Sequence, residues 1–265
     1  MFNSLKEIKL MTLFIFTLII HNSYGSVPSF NNISSTQIEG ILKDFASNFF
    51  PSTGSPASNG VKDFGAEVSL SAGLSNAENI NSTVSESFSN LPKFGANIIV
   101  SLPKGFGLEA IGLSLNTEGL QYKFNSLGIG WTFTDIFKFP LDLKIKTQYS
   151  RGHIRFNQEL SGNKIAVQYE NSSLIFGATI SKKAFIIFEP FYSIGHIDST
   201  NTLSSAGATS IFDVSVSTSS KSDVKLKDIY QTIGMRINAY VFNLSFEKTE
   251  VFNNSIYLAK IGMYY

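Results

Sequence analysis

Residues Ser255 to Tyr265 read SIYLAKIGMYY, and the reading of that stretch decides the fold. Tyr257, Ala259, Ile261, Met263 and Tyr265 occupy alternate positions. A β-strand sends alternate side chains to opposite faces, so these five share one side. Lys260, Gly262 and Tyr264 share the other, which is more polar. A strand greasy on one face and flanked by aromatics belongs in a wall with two different environments.

The same alternation recurs upstream. Phe64, Ala66, Val68, Leu70, Ala72 and Leu74 are in phase, as are Phe94, Ala96, Ile98, Val100 and Leu102. The clearest case sets Leu141, Leu143, Ile145, Thr147 and Tyr149 against Asp142, Lys144, Lys146 and Gln148. Further strands are expected over 106–115, 120–133, 165–180, 185–197, 224–237 and 241–247, about ten in all within a range of about 8–12. In 106–115, Leu108 and Ala110 share one phase and Ile111 and Leu113 the other, which fits a bulge or an apolar patch inside a lumen. The phase slips near Asn125 and Ser126, and again near Asn171 and Ser172, where β-bulges are expected.

Connection lengths carry the next inference. With the first strand running outward, one end receives Ser75–Pro92, Asn116–Gly119, Asn157–Asn163, Asp198–Asp223 and Lys248–Asn254. The other end receives Pro103–Gly105, Thr134–Pro140, Ser181–Ala184 and Asn238–Tyr240, all short. Both of the longest connections therefore fall on one side. Together with the terminal aromatic strand, this resembles the bacterial outer-membrane β-barrel superfamily. The resemblance covers roughly Phe64 to Tyr265 and implies an all-β, antiparallel transmembrane barrel. It also implies two partners, outer-membrane lipid and the insertion machinery that reads the closing strand at Tyr257, Ala259, Ile261, Met263 and Tyr265. Trp131, Phe133, Tyr264 and Tyr265 would then belong to a periplasmic aromatic girdle, and Tyr122, Tyr149 and Tyr257 to an outer one.

The N-terminus reads as an export signal over 1–25. Lys6 and Lys9 precede an apolar run from Met11 to Ile20, and Ser23, Tyr24 and Gly25 lead to a cleavage point near Ser26. That run is shorter than the roughly 20 residues of a spanning helix. Residues 26–60 form a second segment, with the barrel over 61–265. In the segment, Ser34 and Gln37 make a capping box, Ile33 and Ile38 a staple, and Ile38, Ile41, Leu42, Phe45 and Phe49 recur at helical spacing until Pro51. A periplasmic helix over Thr36 to Phe50 is expected, covering the barrel mouth or packing along its base, with a lumen plug or a docking helix as alternatives. Pro51 to Gly60 reads as a linker.

Composition narrows the functions. The chain has no cysteine, which excludes disulfides, thiolate metal sites and a lipoprotein anchor. A net charge of +1 gives no electrostatic reason to expect nucleic acid. Charged residues make up 15%, against about 25% in soluble domains, which suits a membrane wall. The candidate lumen network is Glu67, Lys123, Asp142, Lys144, Lys146, Glu170, Glu189, Asp228, Arg236, Glu247 and Lys260. Mixed charges in a narrow barrel are expected to pair. A narrow pore for a small solute is the sharper reading.

Catalysis is not expected. Beyond the signal, the histidines are His153 and His196, and Asp198 is the acid near either in sequence. No histidine cluster, phosphate-binding glycine loop or acid-rich calcium loop is present, so no cofactor or metal is expected. The reading is a structural or narrow-transport barrel of the cell envelope. A rim hydrolase and a barrel binding ligands through its long external loops are alternatives. A secreted lipocalin-like barrel would instead turn the apolar phase of Leu141 to Tyr149 inward.

Overall fold

The computed structural model describes residues 35–58, 64–83, 90–117, 120–134, 140–160, 163–184, 187–206 and 219–265. Helix α1 (Ser35–Asn48) precedes strands β1 (Gly65–Asn76), β2 (Asn90–Ser101), β3 (Phe106–Thr117), β4 (Leu120–Thr132) and β5 (Asp142–Leu160). Strands β6 (Asn163–Ser181), β7 (Phe188–Ala206), β8 (Ser219–Ala239), β9 (Phe242–Val251) and β10 (Asn254–Tyr264) follow, with a short helix α2 (Glu78–Thr83) between β1 and β2. The ten strands close into one barrel in sequence order, every pair antiparallel, with β1 joined to β10 at the seam. The signal segment, Ser34 and Ile33 lie outside the described residues.

The apolar phase faces outward. On β1, Val68, Leu70 and Leu74 are exposed while Ser69, Ser71 and Ser75 are buried. Ile145 and Tyr149 on β5 are exposed, and Lys144 and Gln148 are buried. An inverted wall of this kind, with exposures of 65% at Leu127 and 62% at Phe176, is a lipid-facing surface. The lipocalin-like alternative is thereby overturned. Tyr257 and Tyr265 of the closing strand are exposed, and Lys260, on its other face, is buried.

The expected bulges are absent. β4 pairs without interruption from Leu120 to Thr132 with β5, and from Leu120 to Trp131 with β3. β6 keeps one register against β5 from Asn163 to Ser181. The slip in the sequence is a change of environment. Below it, lipid lies outside and polar groups lie inside. Above it, the outer face carries Asn125, Lys123, Arg151, Arg155 and Glu170, while Phe124, Tyr122, Phe156, Val167 and Tyr169 are buried inside. Ile111 and Leu113 of β3 join that inner apolar cluster, so the lumen-patch alternative holds for this strand. At the level of the change, Ser126, Ser150, Ser173 and Ser199 form a single inward row across β4 to β7.

Strand lengths follow from the same fact. Crossing the hydrocarbon takes about ten tilted residues, yet β5, β6 and β7 each have 19 and β8 has 21. Most of the Asp198–Asp223 and Asn157–Asn163 stretches, expected as loops, are strand. The inward residues on and next to these stretches, Phe156, Ile165, Val167 and Leu203, have something apolar to cover. The β9–β10 connection is also tighter than expected. Phe252 and Asn253 both take positive φ, as a two-residue hairpin turn requires.

What these strands cover is α1. The helix sits inside the outer half of the barrel, not at the periplasmic mouth or base as expected. Ile38, Ile41, Leu42, Phe45, Phe49 and Phe50 are all buried. Its apolar stripe has no lipid to face, so it packs on the inner wall that the upper strands present.

Candidate functional site

The lumen is built in two storeys. In the outer one, Phe45 stacks on Tyr169 at 4.9 Å, and Phe49 stacks on Tyr122 at 5.1 Å and Tyr169 at 5.6 Å. Tyr122 is therefore an inner core residue and not part of an outer girdle. Gly152 makes room for this packing, because a β-carbon there would lie 2.1 Å from the Phe49 ring. Asp44 ties the helix to the outer turns. Its carboxylate accepts from Asn79 Nδ2 at 2.7 Å, the Ile80 N–H at 2.8 Å and Asn254 Nδ2 at 3.0 Å. Burial pushes the Asp44 carboxyl above its ordinary value, and those donors pull it back in part.

The helix ends against a cation. Lys93 Nζ donates to the carbonyls of Asn48 and Phe50, which the last turn leaves without helical partners. Asn48 Nδ2 donates to Ser75 Oγ at 3.2 Å and Pro92 O at 3.1 Å. The linker then descends through the polar storey. Gly54 N–H donates to Glu247 Oε2 at 3.0 Å, and Lys260 Nζ to Ser55 Oγ at 3.3 Å. Thr132 Oγ1 donates to Ala57 O at 2.6 Å, and the Ala57 and Ser58 N–H groups share Ser181 Oγ at 3.2 and 3.3 Å. Gly54, at φ +57°, turns where a side chain would press on Lys260 and Ser245.

Among the described residues, three buried ion pairs surround this stretch of chain. Lys260 Nζ meets Glu67 Oε1 at 2.6 Å across the seam, and Arg236 Nη2 meets Glu189 Oε2 at 2.6 Å and Ser58 Oγ at 2.8 Å. Lys144 pairs with Glu109. Of the expected network, Glu67, Lys144, Glu189, Arg236, Glu247 and Lys260 are thus buried in the lumen. Lys146 and Asp142 share the inward phase of β5 and are half-buried. Asp228 is also half-buried and accepts from the Phe252 N–H, holding the β9–β10 turn. Lys123 and Glu170, expected in the lumen, are not there. Both point outward above the lipid belt, because the polarity change moves polar residues to the other phase there.

Two lumen residues were missed by sequence reading. Glu109 lies opposite in phase to Leu108 and Ala110, a signal blurred by the apolar Ile111 and Leu113 that follow. Lys93 is in phase with Asn97 on the inward side of β2, just before the expected strand start at Phe94.

The histidines lie on the outer wall. His196 Nε2 is 3.6 Å from Asp198 Oδ2, and Lys227 Nζ lies 3.1 Å from the other oxygen, Asp198 Oδ1. His153 Nδ1 is 3.9 Å from Glu170 Oε1. His196 aligns through Phe176 with Thr147, and His153 is about 20 Å farther along β5 by strand rise. The two do not meet in one cleft.

No family model matches the chain, and no curated protein matches it. Among solved structures it resembles Ail, the attachment invasion locus protein of Yersinia pestis, with TM-score 0.35 and 11% identity over 77% of this chain and 99% of that one. A Pseudomonas aeruginosa FadL homologue gives TM-score 0.41 and 11% identity over 84% and 68%. The outer membrane protease OmpT of Escherichia coli gives 0.40 and 12% over 78% and 99%. The likeness is one of architecture.

Proposed function

We propose, from the premise that this chain is an outer-membrane β-barrel, that it is a self-plugged structural barrel whose working surface is its projecting outer end. One observation carries the reading: residues 38–58 occupy the lumen and are bonded to the wall in both storeys. A conduit of this width has no room for both a helix and a solute path. The upper strands β5 to β8 extend well past the lipid belt and hold a packed interior there, as a rigid surface-presenting element needs. Export through a cleaved signal over 1–25, and recognition of the closing strand by insertion machinery, belong to the same reading.

Planar-bilayer conductance tests it. The full chain is expected to insert without steady conductance, and a variant lacking residues 35–58 to conduct. A steady open channel from the full chain would overturn the proposal in favour of narrow transport of small solutes.

A further inference from the structure

We propose that the outer wall carries a seat for a phosphate-bearing lipid headgroup of the outer leaflet, on the row Arg151–Ser172–Thr200–Lys225. The register places these four directly beside one another on β5, β6, β7 and β8. All four are on the outward phase, two residues above Tyr149 and Leu174, where the exposed apolar surface ends on β5 and β6. Three strand spacings separate the terminal cations, about 14 Å between backbones. Two hydroxyls stand between them.

The row is indented. A polar groove of about 460 Å³ is lined by Lys123, Asn125, Arg151, Ser172 and Thr200. A second of about 360 Å³ adjoins it and includes Tyr149, Leu174, Thr200 and Lys225, with the paired Asp198 and Lys227 at its edge. Three other cations of this outer surface are paired, Lys227 at 3.1 Å from Asp198, Lys221 at 3.0 Å from Asp223 and Lys248 at 2.8 Å from Glu250, while Arg155, farther up β5, lies outside the row. Among the described residues, Arg151, Lys225 and Lys123 have no carboxylate within ion-pair distance. Glu170, beside His153 at 3.9 Å, is the acid that lines the first groove.

A guanidinium binds phosphate through two parallel donors, a lysine supplies a mobile point charge, and hydroxyls complete the oxygen shell. What selects a lipid over a soluble anion is continuity. The groove opens directly onto the lipid-facing surface at Tyr149 and Leu174, and an interfacial tyrosine marks the headgroup level. A ligand with both phosphate and acyl chains meets both surfaces at once.

The full chain, refolded in zwitterionic detergent, would be mixed with a diphosphorylated acylated disaccharide lipid, with phosphatidylglycerol, or with inorganic phosphate, and retained ligand read by native mass spectrometry. The phosphorylated lipids are expected to be retained, and R151Q/K225Q to lose at least about tenfold in affinity, the scale of a charged hydrogen bond. Only preparations that show the heat-induced gel shift are taken to the mass spectrometer, so an unfolded variant is not counted, and the single variants R151Q and K225Q provide a second reading. Equal retention by the double variant would overturn the proposal. So would inorganic phosphate binding as tightly as the lipids, which would make the site one for soluble anions.

Discussion

The two storeys of this barrel use the same wall in opposite senses. Below the row Ser126, Ser150, Ser173 and Ser199, apolar side chains face lipid and charges face inward. Above it, charges face out and the interior is a core of Phe, Tyr, Ile and Leu around α1. The backbone does not change, because the ladder runs through the boundary in register. Only the solvent on each side changes. The difference teaches that a slip in alternation along a membrane strand can record the edge of the hydrocarbon and need not record a bulge.

Each storey can be broken by its own kind of substitution. An effect as large as any is expected in the polar storey from Arg236→Leu, which leaves Glu189 buried without its cation, at a cost of about 3–5 kcal/mol. The midpoint of the heat-induced mobility shift reads this, and an unchanged midpoint would mean that Glu189 is not dependent on Arg236. In the apolar storey, Phe49→Ala removes a ring packed on Tyr122, Phe124 and Tyr169. It should lower the same midpoint by about 3–5 kcal/mol equivalent, while Phe49→Leu restores most of it.

The boundary itself can be sharpened with paired arginines on β4. Ile129→Arg, on the lipid face, is expected to cost about 2–4 kcal/mol, and Asn125→Arg, four residues above on the same face, about 0–1. Equal penalties would move the hydrocarbon edge above Asn125. The smallest effect concerns Asp44. Its folded pKa is raised, so its contribution is fully present below the ordinary value of 3.8 and is lost as pH rises through the raised one. The wild-type midpoint should therefore gain on acidification relative to Asp44→Asn, and parallel pH profiles would remove Asp44 from the account.

The membrane storey was legible because lipid outside and charge inside produce clean alternation. Leu141 to Tyr149 and Tyr257 to Tyr265 needed no tertiary knowledge, and the closed barrel follows from such strands. The outer storey was not legible by the same rule. There the inward residues are apolar only because α1 covers them, and nothing local to Tyr122 or Phe156 says that a helix lies opposite. The helix stripe itself was plain, but its partner was not. An amphipathic helix states which face is buried and leaves open what buries it. Lys123 and Glu170 were misplaced for the same reason, since the rule that apolar residues face out was carried across the boundary and read there as a slip, when the phase holds and its polarity reverses.

The contacts of Asp44 bear on the order of assembly. Asn79 and Ile80 belong to the hairpin that follows the first strand, and Asn254 begins the last. One carboxylate on α1 thus grips both sides of the β1–β10 seam. The helix is synthesised before any strand, so closing the ring is also the act of enclosing it. A chain lacking Asp44 should then reach a nearly complete but unsealed intermediate, visible as a slower final conversion to the heat-shifting form while the earlier steps keep their rates.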